Sequence, residues 1–262
     1  MLKIDSLSNE KIKLCAKIAE SSKHRKQNGM FFLEGLRLCR DAAFTGCRIE
    51  FAFFTRKAID VHPEDVSVIL EASEHYFEIS DQVAARLTQT ETSQGFFCLC
   101  RIPEQSCEIQ YSGKYIALEN IQDPSNLGAI CRTAEALGIS GVVMSGCCDR
   151  FSPKAQRAAM GSLLRINVFE TNNLSEYLSD LKLNGMKILA TTPDSDASVI
   201  TQVTMNGGVV AVIGNEGNGV SDEVFRVCDK ITIPMLGRAE SLNASMAAAI
   251  TMWEMMRCTD ER

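Results

Sequence analysis

One pentapeptide constrains this chain more than any other: Val209-Val210-Ala211-Val212-Ile213. A run that is apolar at every position and mostly β-branched suits a strand buried on both faces, as inside a parallel sheet. It passes directly into Gly214-Asn215-Glu216-Gly217-Asn218-Gly219, a turn with compact polar side chains between its glycines. A second short strand, Ile231-Thr232-Ile233, stops at Pro234. A polar loop follows over 237–241, and then a long helix of small and apolar residues from about Leu242. In open α/β sheets, ligands sit just outside the carboxyl ends of the strands. Residues 209–248 are therefore read as a pocket, and the rest of the chain as what brings a substrate to it.

The surrounding pattern supports a sheet of that kind. Strands are expected at 115–118, 142–144, 166–169 and 188–191, separated by helices after Asn126, after Ser152-Pro153 and at 174–183. Ser125 or Asn126 is the expected cap of the first of these helices. Ser241 is the expected cap of the final helix. Strand alternating with helix implies an α/β fold with a mainly parallel sheet covered on both faces. Residues 1–102 read as a smaller α/β domain, with a helix over 9–22, strands near 30–33, 51–55, 76–79 and 95–100, and helices between them. Residues 21–29 read as a basic loop. The aperiodic stretch 103–113 reads as a linker, leaving 114–262 as the second domain.

Overall charge is −6, which disfavours a nucleic-acid partner until its distribution is considered. Residues 1–57 carry 12 Lys and Arg against 6 Asp and Glu, whereas residues 58–112 carry 2 against 10. A polyanion would be gripped at the basic N-terminal third, by Lys23, Arg25 and Lys26 and by Arg37 and Arg40 on the next helix. Solvated helix faces would give the same counts. The 11 cysteines show no CxxC, and the three histidines stand at no zinc spacing from them. Small buried thiols in a reducing cytoplasm are expected, and no metal. The N-terminus lacks the apolar core of a signal peptide, and no apolar run is long enough to span a membrane.

Three stretches carry polar residues suited to chemistry. In Asp123-Pro124-Ser125-Asn126-Leu127-Gly128-Ala129-Ile130-Cys131-Arg132, Arg132 falls off the apolar stripe of its helix and could face the strand ends or only solvent. The glycine turn at 214–219 is neither a dinucleotide fingerprint nor a Walker A loop. Its Glu216 would repel phosphate, which favours a ligand bearing amine or hydroxyl groups. In the third stretch, Ile233-Pro234-Met235 precedes Ser241-Leu242-Asn243-Ala244-Ser245, where first-turn amides could hold a polar ligand or serve capping alone.

Taken together, these stretches resemble the three ordered signature motifs of the SpoU (TrmH) family of the SPOUT superfamily, RNA 2′-O-ribose methyltransferases that use S-adenosylmethionine. The likeness covers about 114–257. Residues 28–46 also resemble the opening of the N-terminal domain of the family's rRNA branch, which is similar to kink-turn-binding ribosomal proteins. The resemblance implies a deep trefoil knot and a homodimer formed through the C-terminal domain. It implies a cofactor held by Thr191, Gly214, Ile233, Met235, Leu242 and Asn243. It further implies Arg132 activating the ribose hydroxyl, with Asn126, Glu216 and Ser241 around the reacting centre. The substrate expected is 23S-type rRNA; a tRNA enzyme or a catalytically inactive RNA-binding member are the alternatives.

Overall fold

The computed structural model describes residues 1–104 and 107–257. Gln105 and Ser106, within the expected linker, lie outside the described residues. The chain divides into two compact units: Met1–Glu104 with Asp149–Leu164, and Gln105–Cys148 with Arg165–Arg262.

The first unit begins with β1 (Leu2–Ile4), α1 (Glu10–Glu20) and α2 (Ser22–Asn28), then β2 (Met30–Glu34), α3 (Leu36–Phe44) and β3 (Ile49–Thr55). It continues with α4 (Arg56–Val61), α5 (Pro63–Glu71), β4 (Ser73–Ile79), α6 (Asp81–Leu87) and β5 (Phe96–Arg101). The sheet order is β1-β4-β3-β5-β2, with β5 antiparallel to both β3 and β2. Period-two alternation sorts its side chains. Phe32, Phe53, Phe97 and Leu99 enter the cluster under α1 and α6. Phe31, Phe54, Phe96, Cys98 and Cys100 enter the one under α3 and α5. Each fully buried Phe contributes about 1.5–3 kcal/mol, so this doubly covered sheet carries its own core.

Ser22–Asn28 forms the helix α2, where a loop over 21–29 was expected. Ser21 caps its start by accepting from His24 N at 3.4 Å, and Gly29 ends it in the left-handed region at φ 60°. The segment lacks an apolar stripe, but its Lys, Arg and Gln are good helix formers, and both ends are capped.

The second unit opens with β6 (Lys114–Glu119), α7 (Pro124–Leu137) and β7 (Gly141–Ser145). The chain then contributes α8 (Pro153–Ala159) to the first unit, opened as expected by the Ser152 cap and Pro153. This segment was expected inside the C-terminal domain. It packs with the first unit because Phe151 is buried against Phe31, ring centroids 4.9 Å apart, and Asp149 accepts from buried Arg25 at 2.6 Å. The second unit resumes with β8 (Val168–Glu170), α9 (Leu174–Leu183), β9 (Lys187–Thr191), β10 (Ser198–Val199), β11 (Val209–Ile213), α10 (Asp222–Phe225), β12 (Asp229–Thr232) and α11 (Ala244–Arg257). Its seven strands run β10-β12-β9-β11-β6-β7-β8, every pairing parallel. The pentapeptide at 209–213 is the strand β11, fully buried between β6 and β9.

Candidate functional site

The carboxyl ends of β9, β11 and β12 open into a cavity of about 450 Å³. That volume lies within the range of small-molecule sites. Thr191, Ile213, Gly214, Glu216, Ile233, Met235, Ser241 and Leu242 line it. Five of the six expected cofactor residues are thus on the wall. Asn243, the sixth, is not among the lining residues. Residues 235–242 form no backbone–backbone hydrogen bond with other described residues, so their amides and carbonyls are free to meet a ligand.

The glycine turn is closed on itself. Asn215 and Gly219 exchange two backbone hydrogen bonds of 3.0 Å, and Asn215 Oδ1 accepts from the amides of Gly217 and Asn218. Gly214 is required by space, because an added Cβ would lie 2.1 Å from the Gly219 carbonyl carbon. Gly219 is required by conformation, at φ 69°. Glu119, at the end of β6, anchors the far side by accepting from Ser221 N at 2.8 Å and Ser221 Oγ at 2.6 Å.

Glu216 ends a relay of amides. Asn243 Nδ2 donates to Asn126 Oδ1 at 3.1 Å, and Asn126 Nδ2 donates to Glu216 Oε1 at 3.0 Å. The amides of Gln122 and Asp123 point at the same carboxylate from 3.4 Å. Burial raises the Glu216 pKa, but the hydrogen bonds from Asn126 and from its own, Gln122 and Asp123 backbone amides outweigh it and hold the carboxyl below the usual range. The site is therefore anionic at neutral pH and suited to a cationic ligand.

Two capping assignments change. Asp123, not Ser125 or Asn126, caps α7, accepting from Ser125 N at 2.9 Å. The proline at position N1 fixes this, because the residue before it is the cap. Asn126 is then inside the helix, buried and free to bridge Asn243 and Glu216. At the last helix, Asn243 takes the cap expected of Ser241, accepting from Ser245 N at 2.9 Å and Ser245 Oγ at 2.6 Å. Ser241 is exposed on the cavity wall.

Arg132 is exposed on α7, is not on the cavity wall, and has no ion pair or side-chain hydrogen bond among the described residues. Of the five basic residues assigned to RNA, Lys23, Lys26 and Arg37 are exposed, and Arg40 is exposed but paired with Asp65 at 3.1 Å. Arg25 is not an RNA contact. It is 5% exposed, and besides Asp149 it donates to the carbonyls of Ile18 and Ala19 at 2.6 and 3.1 Å. Missed from the sequence were Thr192, Pro193 and Asp194 on the cavity wall, and Lys230, which pairs with Asp194 at 3.2 Å. A strand end followed by Thr-Thr-Pro-Asp was the available signal.

Residues 113–253 match the model of the SpoU rRNA Methylase family, and residues 9–98 match the MRM3-like substrate binding domain. The chain belongs to the SpoU rRNA methylase family. A SpoU relative from Bacillus subtilis (strain 168), the 23S rRNA (guanosine(2553)-2′-O)-methyltransferase RlmP, is 30% identical over 97% of this chain and 99% of its own length. Among solved structures, an AdoMet-bound rRNA methyltransferase from Sinorhizobium meliloti is 27% identical with a TM-score of 0.87, covering 99% of this chain and 98% of that one. This SpoU member is an RNA 2′-O-methyltransferase with S-adenosylmethionine as its cofactor. The cavity suits that cofactor, with apolar Ile213, Ile233, Met235 and Leu242 and the Glu216 carboxylate on its wall beside the backbone of 235–242, which forms no backbone–backbone hydrogen bond with other described residues.

Proposed function

We propose that this SpoU methyltransferase methylates a ribose 2′-hydroxyl of 23S-type rRNA in the cytoplasm, acting as a homodimer. The observation that carries the reading is the cavity at the ends of β9, β11 and β12, with the Asn243–Asn126–Glu216 relay at its edge. When bound, S-adenosylmethionine supplies a methyl group on a sulfonium. Thr191, Gly214, Ile233, Met235, Leu242 and Asn243 would hold it, largely through backbone. Glu216 and Ser241 orient polar groups at the reacting centre.

A ribose hydroxyl is a weak nucleophile, and Arg132 is the residue assigned to activate it. A guanidinium keeps its charge at all working pH values and stabilises oxyanion character as the proton leaves. Arg132 stands off its own cavity, on α7, which packs against α11. Helix α11 leaves Met246, Ile250 and Trp253 exposed at 54%, 41% and 54% along one stripe. That apolar stripe supports a two-fold interface through which Arg132 of one copy serves the cavity of the other. The packing of α11 on α7, β11 and β6 after the chain has left β12 supports the knotted reading of this unit.

Residues 1–102 are assigned as the RNA-binding domain, similar to kink-turn-binding ribosomal proteins, with Lys23, Lys26, Arg37 and Arg40 meeting phosphate. The full-length likeness to a 23S rRNA enzyme favours rRNA over tRNA. Arg132→Ala is expected to keep S-adenosylmethionine binding by calorimetry and to lose at least about a hundredfold in methylation, the scale of one deleted transition-state donor. Mixing Arg132→Ala chains with Glu216→Gln chains should restore part of the activity. Full turnover by Arg132→Ala alone would refute the role, and failure of the mixture to recover any activity would refute the shared site.

A further inference from the structure

We propose that Cys47 and Cys100 form a peroxide-responsive thiol pair, with Cys47 the residue oxidised first and Cys100 the thiol that closes the disulfide. Cys47 lies in the connection between α3 and β3, and Cys100 lies in β5. The antiparallel register sets Ile49 opposite Cys100, and Arg101 N donates to Arg48 O at 2.9 Å. Cys47, two residues before Ile49, lies beside the end of β5 that carries Cys100, and the two thiols are hydrogen-bonded to each other. Both pack in the cluster under α3 and α5, with Cys47 Sγ 3.9 Å from the carbonyl of Arg101.

The two thiols are unequal. Cys47 is partly exposed, whereas Cys100 is fully buried. A side-chain hydrogen bond from Cys100 draws the Cys47 thiol below its ordinary range. Burial first, and then the same hydrogen bond, push Cys100 well above it. A partly exposed thiol beside a fully buried one is the arrangement in which oxidation starts selectively at the first. Three other thiols differ. Cys39 and Cys98 adjoin each other but are both fully buried. Cys147 donates to the Leu118 carbonyl, and burial pushes it up to about 11.

The chemistry balances with hydrogen peroxide as the oxidant. The Cys47 thiolate attacks one peroxide oxygen and the O–O bond breaks. Hydroxide leaves and takes up a proton as water, and Cys47 becomes a sulfenic acid, oxidised by two electrons. Cys100 sulfur then attacks Cys47 sulfur. The S–O bond breaks, the Cys100 proton leaves with the hydroxyl group as a second water, and the S–S bond forms.

The test is peptide mapping of the full-length protein by mass spectrometry, after brief hydrogen peroxide treatment and alkylation under denaturing conditions. The Cys47–Cys100 cross-linked peptide should be the first oxidation product, with Cys39 and Cys98 still fully alkylated. Cys100→Ala and Cys100→Ser should both accumulate a Cys47 sulfenic acid captured by dimedone, and in Cys47→Ser the Cys100 thiol should stay reduced. The proposal is overturned if another cysteine oxidises before Cys47, if Cys47 pairs elsewhere, or if Cys100 oxidises as readily in Cys47→Ser. Circular dichroism on each variant ties the readout to folded protein.

Discussion

Asn126 uses both ends of its amide, accepting from Asn243 and donating to Glu216, so its removal leaves two polar groups short of a partner. Asn126→Ala should cost about 1–3 kcal/mol by urea unfolding and weaken S-adenosylmethionine binding. The pH dependence follows from the direction of the Glu216 shift. Its folded pKa lies below the ordinary value of 4.5, so the stabilisation is complete above that value and fades as pH falls through the folded pKa. Cofactor binding should therefore be insensitive to Glu216 from pH 8 down to about 5. A calorimetric transition near neutrality that vanishes in Glu216→Gln would contradict this. Arg25 and its neighbours separate two roles that basic residues can take. Arg25→Ala strands Asp149 and should destabilise the protein by about 3 kcal/mol, without altering the salt dependence of RNA affinity. Replacing Lys23 and Lys26 should leave stability unchanged and flatten the slope of log K against log salt by about 0.7–0.9 for each phosphate no longer neutralised. The residue types of the pocket could be read from the motifs. The burial of Arg25 could not, because its partner Asp149 is 124 positions away.

At the scale of elements, the long strands and helices followed from their own patterns. The β11 pentapeptide, the Ser152-Pro153 helix start and the apolar strand near 95–100 all folded as their patterns require. What was missed is short or lacks an apolar stripe: three-residue β1, four-residue α10, and α4, whose cap at Thr55 ends a strand. Such elements form because a sheet edge or a cap is already in place, and a window of sequence does not hold that information. The glycine turn gives a contrast within one element. Gly219→Ala meets open space and only a left-handed φ, so it should cost about 1–2 kcal/mol. Gly214→Ala drives a methyl into the opposite strand of the turn and should abolish cofactor binding. Equal effects of the two changes on S-adenosylmethionine affinity would show that the turn opens easily.

At the scale of the whole molecule, the proposed dimer with its shared site would make assembly and activity one property. Trp253→Glu with Ile250→Asp should shift sedimentation from two chains to one and remove methylation, while leaving urea unfolding of the first unit unchanged. A dimer that survives both substitutions would send the interface elsewhere. The partition of the chain also has a consequence in time. Phe31 and Phe151, ring centroids 4.9 Å apart, are made 120 residues apart by the ribosome. At roughly 5–20 residues per second, that interval is about 6–24 s. The start of the chain therefore emerges with an apolar face waiting for a segment that belongs, by sequence order, to the other half. A chaperone that holds nascent chains would find its footing there, and slowing translation between the two should raise the fraction of chains that aggregate.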